Sequence, residues 1–204
     1  LEGMDDNLSW PVFNASYYER VLRTLGPVKA PQMVRFYLHD HGKHGQGAGQ
    51  PGVFQQSVQD LMAWAEKGVA PPPSTRYTIS NGQMIPAPRA ADRHGLQPVM
   101  SLSANGVSRA TVAVNQPVKL AATLEMPPRA GQIVQYAWTV ADKTETPVNV
   151  DKPQVLVNVE KTVSFPAPGT YVIRLTVNGQ RDGLVAPANQ TLMQNYKEVR
   201  VVVQ

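Results

Sequence analysis

Arg35-Phe-Tyr-Leu-His-Asp-His-Gly-Lys-His-Gly45 sets the reading of the N-terminal part of this chain. Its apolar run, Met33 to Leu38, reads as a buried strand. The strand breaks into a loop that carries His39, His41 and His44, three of the four histidines. Gly42, Gly45, Gly47 and Gly49 follow at once, so the backbone there can turn sharply and admit a close neighbour. A histidine just beyond a strand end faces the crevice where α/β folds keep their reactive groups.

Upstream, Asp5 and Asp6 follow Gly3 at what reads as a strand-to-loop junction, closed by Trp10-Pro11. A helix is expected from about Ser16, because Ser16-x-x-Glu19 has the form of a capping box. Tyr18, Val21, Leu22 and Leu25 repeat at helical spacing, and Gly26-Pro27 should stop the helix. Downstream of the histidines a second helix is expected from about Ser57 to Lys67, burying Val58, Leu61, Met62 and Ala65 and ending at Gly68. Acid loop, helix, strand, histidine loop and helix alternate as in an α/β fold.

Ala70-Pro-Pro-Pro-Ser74 closes that region. Residues 76–97 read as an extended connector lying on a surface. From Pro98 the pattern changes to short runs rich in Val, Thr, Leu and Tyr, separated by turn signals such as Asn105-Gly106, Pro127-Pro128 and Pro168-Gly169. That spacing predicts an all-β sandwich. Strands are expected at Val99–Ser103, Arg109–Val114, Val118–Glu125, Ile133–Val140, Leu156–Phe165, Thr170–Val177 and Tyr196–Val203. The predicted architecture is an α/β segment over 1–75, a connector over 76–97 and an immunoglobulin-like sandwich over 98–204.

Composition sets limits on function. The 204 residues are 42% hydrophobic, enough for packed cores, and no apolar run is long enough to span a membrane. Only 17% are charged and 18 are proline, which favours loops and strands over helical bundles. The net charge is +4, but Lys and Arg are scattered and no basic stripe alternates with aromatics, so nucleic acid is not an expected partner. With no cysteine, disulfides, thiolate metal sites and a cysteine nucleophile are excluded. The chain opens on Leu1 rather than Met, which fits a piece or processed product of a longer polypeptide.

Two resemblances refine this reading. Gly3-Met-Asp-Asp-Asn-Leu-Ser-Trp-Pro11, Tyr17-Tyr-Glu-Arg-Val21, Phe36 to His44, and Leu61-Met-Ala-Trp-Ala-Glu-Lys-Gly-Val-Ala-Pro71 resemble the C-terminal half of α/β-hydrolases, most of all the tannase and feruloyl-esterase group. The resemblance implies that Asp6 is the acid and His44 the base of a catalytic triad, with Asp5 and His41 as their nearest competitors. Such a histidine takes the serine proton while the carboxylate fixes its tautomer. Tannase relatives place a cysteine beside the histidine, whereas Gly45 stands here. No Gly-x-Ser-x-Gly occurs in the 204 residues, so the nucleophile is expected in a missing N-terminal hydrolase half, and this polypeptide alone should be inactive on esters. The second resemblance is of Trp138-Thr-Val140 and Pro168-Gly-Thr-Tyr-Val-Ile-Arg-Leu-Thr-Val177 to polycystic-kidney-disease (PKD) type or related sandwiches. It implies a core Trp138, a packed Tyr171 and a periplasmic or secreted setting.

Other readings compete. His39-x-His41-x-x-His44 with Asp40 has donors that suit zinc, although no further ligand-rich segment stands out; neither a metal nor a cofactor is expected. His94 reads as a surface residue. Asn14-Ala-Ser16 and Asn189-Gln-Thr191 match glycosylation acceptors. Two functions from different classes follow. One is the C-terminal portion of a secreted serine esterase, supplying Asp6 and His44 to an ester substrate. The other is a non-catalytic module with a decayed hydrolase remnant, binding a polysaccharide or protein surface, for which Trp138, Tyr136 and Tyr196 are the first aromatics to test.

Overall fold

The structure is a computed structural model that describes residues 1–45, 51–185 and 191–204. Gly47, Gly49 and the Asn189 acceptor site lie outside the described residues.

Strand β1 (Glu2–Gly3) runs parallel to β2 (Leu38–His39), with Glu2 opposite Leu38 and Gly3 opposite His39. Helix α1 (Pro11–Met33) makes the crossover. It starts at Pro11, five residues before the predicted capping box. Proline is preorganised for a first helical position, and the Ser16 hydroxyl instead donates to the Val12 carbonyl one turn back. At Gly26 the helix kinks (φ 75°, ψ 170°), so the predicted stop is a break between two helical stretches. The predicted strand Met33–Leu38 shrinks to Leu38–His39. Met33 ends the helix, and the amides of Phe36 and Leu38 donate to the side chains of Ser74 and Thr75 rather than to a neighbouring strand.

Helix α2 (Pro51–Lys67) begins earlier than predicted and presents the opposite face. Val53 and Gln56 are buried, whereas Val58, Leu61 and Met62 stand exposed. Val53 packs into the main core, and polar contacts accompany it: Asp60 on α2 pairs with Arg181 and Gln59 donates to Thr191. A Cβ on Gly52 would run into the Leu192 carbonyl, so only glycine lets α2 come this close.

Residues 76–97 are not an extended connector. Strands β3 (Tyr77–Ser80) and β4 (Gln83–Pro86) form an antiparallel hairpin closed by Asn81-Gly82, both at positive φ as a primed turn requires. Helix α3 (Ala90–Arg93) follows, and Glu125 anchors it by accepting the Ala90 amide (3.2 Å) and pairing with Arg89 (2.7 Å). Phe36, Leu38, Ala15 and Met84, joined by Tyr18 and Tyr77, make a small core between α1 and the hairpin.

The remaining strands are β5 (Val99–Ala104), β6 (Arg109–Val112), β7 (Val118–Glu125), β8 (Gln132–Val140), β9 (Lys143–Thr144), β10 (Val148–Gln154), β11 (Leu156–Val163), β12 (Gly169–Gln180) and β13 (Met193–Val203). One sheet has the order β11-β7-β5; the other has β10-β8-β12-β13-β6, with β9 on β8 and β6 parallel to β13. All seven predicted sandwich strands are present, and β9 and β10 were not predicted. Strand β10 is an exposed edge containing Pro153, with a register shift against β8 between Asn149 and Gln154. Only Val150 of this strand packs against the core, too little to write an alternating pattern. Leu120, Leu124, Ile133, Ile173, Leu175, Val177 and Val201 are fully buried between the sheets, with Trp138 beside them. Tyr171 stacks on Phe165 (4.1 Å between centroids), and its hydroxyl donates to the Ala167 carbonyl (2.9 Å). This is the tyrosine corner of immunoglobulin-like sandwiches.

Candidate functional site

The ends of β1 and β2 bring the acid loop onto the histidine loop. Asp5 N–H donates to the Gly42 carbonyl (2.9 Å) and Met4 N–H to the His39 carbonyl (3.0 Å). A Cβ on Gly3 would strike the Gly42 backbone, and one on Gly42 the His39 ring, so the two loops meet glycine to glycine.

Asp6 and His44 come together as the resemblance implies. His44 Nδ1 lies 3.0 and 3.1 Å from the two carboxylate oxygens of Asp6. Asp6 Oδ1 also accepts the amides of Leu8 and Ser9, both at 2.9 Å. The Ser9 amide, aided by the Leu8 amide and by His44, holds the Asp6 carboxyl below its usual value. The carboxylate is therefore ionised at neutral pH and favours the tautomer of His44 with a proton on Nδ1. Nε2 then carries a lone pair, and no described residue hydrogen-bonds to it. The Asp6 side chain is 7% exposed and that of His44 52%. A carboxylate sheltered below an accessible imidazole can orient a base that works on something outside.

The competitors separate by geometry. His41 pairs with Asp5 (Nδ1 to Oδ2, 3.4 Å), while its Nε2 lies 3.1 Å from the Tyr196 carbonyl. Nε2 is thus taken up by the sandwich, and Nδ1 faces Asp5 instead of the cavity beside His44. His39 belongs to β2 rather than the loop, and burial holds its imidazole neutral down to about pH 4. The three histidines diverge, and among the described residues no group of three or more His, Asp or Glu converges as a metal site would require. His94 caps α3, clear of the pair.

A cavity of about 300 Å³ adjoins the pair, lined also by Glu2, Ser9, Asn14, His39, Lys43 and Phe54. Burial raises the Glu2 carboxyl above its usual value. One Glu2 oxygen accepts from Asn14 (2.5 Å); the other, like His39 Nδ1, has no partner.

Sequence reasoning missed the joint with the sandwich. Asp40 pairs with Arg93 and accepts from Asn195 (3.1 Å), and its amide donates to Gln97 (2.7 Å). Gln97 in turn donates to the Gln194 carbonyl (2.8 Å). These partners lie 53 to 155 positions away from Asp40, and no local pattern marks them.

Two sheets packed with a tyrosine corner define an immunoglobulin-like β-sandwich. Residues 101–190 match the family model described as PKD domain, so a PKD domain occupies that part of the chain. The matched span stops short of β13, which the structure adds to the same sandwich. The chain is also similar to three solved structures. One is a crystal structure of the CARDB domain of a Pyrococcus furiosus protein in complex with di-metal ions (13% identity, 53% of this chain and 88% of that one, TM-score 0.37). Another is a solution structure of a CARDB domain from the same organism (15%, 52% and 95%, 0.37). The third is the complex of zinc 2-glycoprotein with prolactin inducible protein from human seminal plasma (12%, 52% and 93%, 0.33). No curated protein matches. The sandwich half of the sequence reading is thereby supported, in keeping with a non-catalytic binding module; none of the matches supports the hydrolase resemblance. No helix among the described residues is long and apolar enough to cross a membrane.

Proposed function

We propose that the chain joins a PKD-type binding sandwich to the acid and base of a serine esterase centre, whose nucleophile another stretch of polypeptide supplies. One observation carries the catalytic part: His44 Nδ1 sits on the sheltered carboxylate of Asp6, with Nε2 unpartnered among the described residues. In the reaction an incoming serine hydroxyl gives its proton to Nε2 as it attacks the ester carbonyl. His44 then returns that proton to the leaving alcohol, and Asp6 stabilises the charged ring between the two events. The exposed side chains Trp10, Phe13 and Tyr17 on and before α1, with Leu61 and Met62 on α2, favour a covering partner of the kind a missing hydrolase half would be. The PKD match favours a secreted or periplasmic setting.

The test is ester hydrolysis by the parent polypeptide read from the frame upstream of Leu1. The 204-residue chain alone should release no nitrophenol from nitrophenyl esters. The parent should do so, and His44→Ala should lower its kcat by about a thousandfold or more. A parent as active without His44 as with it ends this reading.

The comparisons lend more weight to binding than to catalysis, and a surface of the sandwich suits binding without chemistry. Trp138 is buried and unavailable as a contact, and Tyr136 packs against the core. The six-stranded sheet instead carries an amide ladder. Gln194 donates to Asn178 (3.2 Å), Asn178 to Gln135 (2.9 Å), and Gln135 to Asn149 (2.9 Å). A row of amides fits the hydroxyls of a polysaccharide. Retention of the chain on polysaccharide gels, lost in Gln135→Ala with Asn149→Ala, is the expected result; equal migration with and without polysaccharide refutes this reading.

A further inference from the structure

We infer that Tyr196 and His41 are positioning residues for His44, so that the sandwich sets the geometry of the acid–base pair rather than only carrying it to a surface. This inference rests on the proposed role of Asp6 and His44. The aligned facts begin with the two consecutive acids. Asp6 holds His44, and Asp5, its neighbour in sequence, faces His41. One loop therefore grips the other at two points, three residues apart on the histidine side.

The second of those points is fastened to the sandwich. The His41 ring lies flat on the Tyr196 ring, 3.8 Å between centroids and 14° from parallel. Its Nε2 donates to the carbonyl of the same tyrosine. The Tyr196 ring is held in turn by the Arg174 guanidinium, 4.4 Å from its centroid, and Glu198 fixes Arg174 (2.6 and 2.8 Å). One residue before His41, Asp40 is tied to Arg93, Gln97 and Asn195. One residue after it, Gly42 is pressed against Gly3. His41 itself has φ 61°, a left-handed backbone that a non-glycine residue keeps only when its surroundings impose it. The stack on Tyr196, the ties of Asp40 and the close approach of Gly42 to Gly3 are those surroundings.

Only Gly42 and Lys43 separate this fixed point from His44. The His44 side chain is half exposed, and its described hydrogen bonds are those to Asp6. A loop released at residue 41 is expected to let His44 leave hydrogen-bond distance of Asp6, for which a shift of about 1 Å is enough. The charged groups that face this joint are Asp5 from the acid loop, Asp40 and Lys43 from the histidine loop, Arg93 from α3, and Arg174, Lys197 and Glu198 from the sandwich.

The experiment is nitrogen-15 NMR of the imidazole rings in the 204-residue chain. In the unaltered protein His44 should show the tautomer protonated at Nδ1, with a downfield proton signal from the bond to Asp6. Tyr196→Phe keeps the stack and should keep that signal. Tyr196→Ala should lose it while Trp138 and the core methyl groups keep their folded shifts. His41→Ala changes no residue of the sandwich and should lose it as well; it decides the matter if Tyr196→Ala disturbs the fold. A His44 signal that persists in His41→Ala overturns the inference and leaves the proposed function standing. A His44 signal absent from the unaltered chain, or unchanged in Asp6→Asn, instead removes the pair itself and the function built on it.

Discussion

The segment before residue 76 and the sandwich after residue 98 are stabilised in different ways. The sandwich has long ladders and one continuous apolar core, into which Trp138, Leu175 and Ile173 are sunk. The segment has a two-residue parallel pair, a small core shared with the hairpin, Tyr37 and Val53 set into the sandwich core, and a set of polar ties to β13. A core built from regular strands tolerates the loss of a neighbour. A segment held by directed hydrogen bonds depends on the surface that supplies their partners. The candidate acid–base pair sits on the dependent side of this divide.

Three measurements sharpen or break the contrast. The largest effect belongs to the sandwich core. Trp138→Ala should cost about 3–5 kcal/mol in urea unfolding and take both regions down together, because the segment loses its support. Phe36→Ala should release the segment to proteolysis and leave the sandwich folded. If Phe36→Ala unfolds the sandwich too, the asymmetry is wrong.

Next comes His39. Its imidazole takes a proton near 6.5 when unfolded but stays neutral down to about 4 in the fold. The unfolded chain thus binds more protons as the pH drops between those values. Stability is full above pH 6.5, declines as the pH falls towards 4, and changes no further through this group below that. The total loss is about 3 kcal/mol. Hydrogen exchange of the segment at pH 7 and pH 4.5 should show it, with His39→Leu removing the slope. A slope that survives the substitution assigns the acid sensitivity elsewhere.

The smallest effect is expected at Gly52. Gly52→Ala pushes α2 away from the Leu192 carbonyl and should cost about 1–3 kcal/mol of docking. Faster exchange of α2 amides, with the sandwich amides unchanged, is the expected reading. Equal exchange in both proteins would show that the close approach carries no weight.

The same contrast explains what the sequence made legible. In the sandwich each strand has a buried face, so alternation and turn residues announce it; Val118–Glu125 falls where the pattern places it. Strand β10 escaped notice because Val150 is its one side chain packed against the core and its register shifts against β8. In the segment, the capping box at Ser16 competed with Pro11, which starts the helix instead. The apolar stripe Val58, Leu61, Met62 and Ala65 correctly marked a helix but not the side that faces the sandwich, since Val53, Gln56, Asp60 and Gly52 make that contact. Asn81-Gly82 between Ile79 and Met84 was a readable hairpin signal, submerged in a proline-rich stretch. Asp6 and His44 were legible through a family resemblance. Tyr196 and Asn195 were not, because nothing local in β13 says which loop will rest on it.

Strand β10 has one more consequence. Its outward rim carries Asp151 and Lys152, and Pro153 offers no amide proton there. A rim of that kind cannot template a further strand from another molecule, so copies crowded together at high concentration are kept from zipping into fibrils along this side.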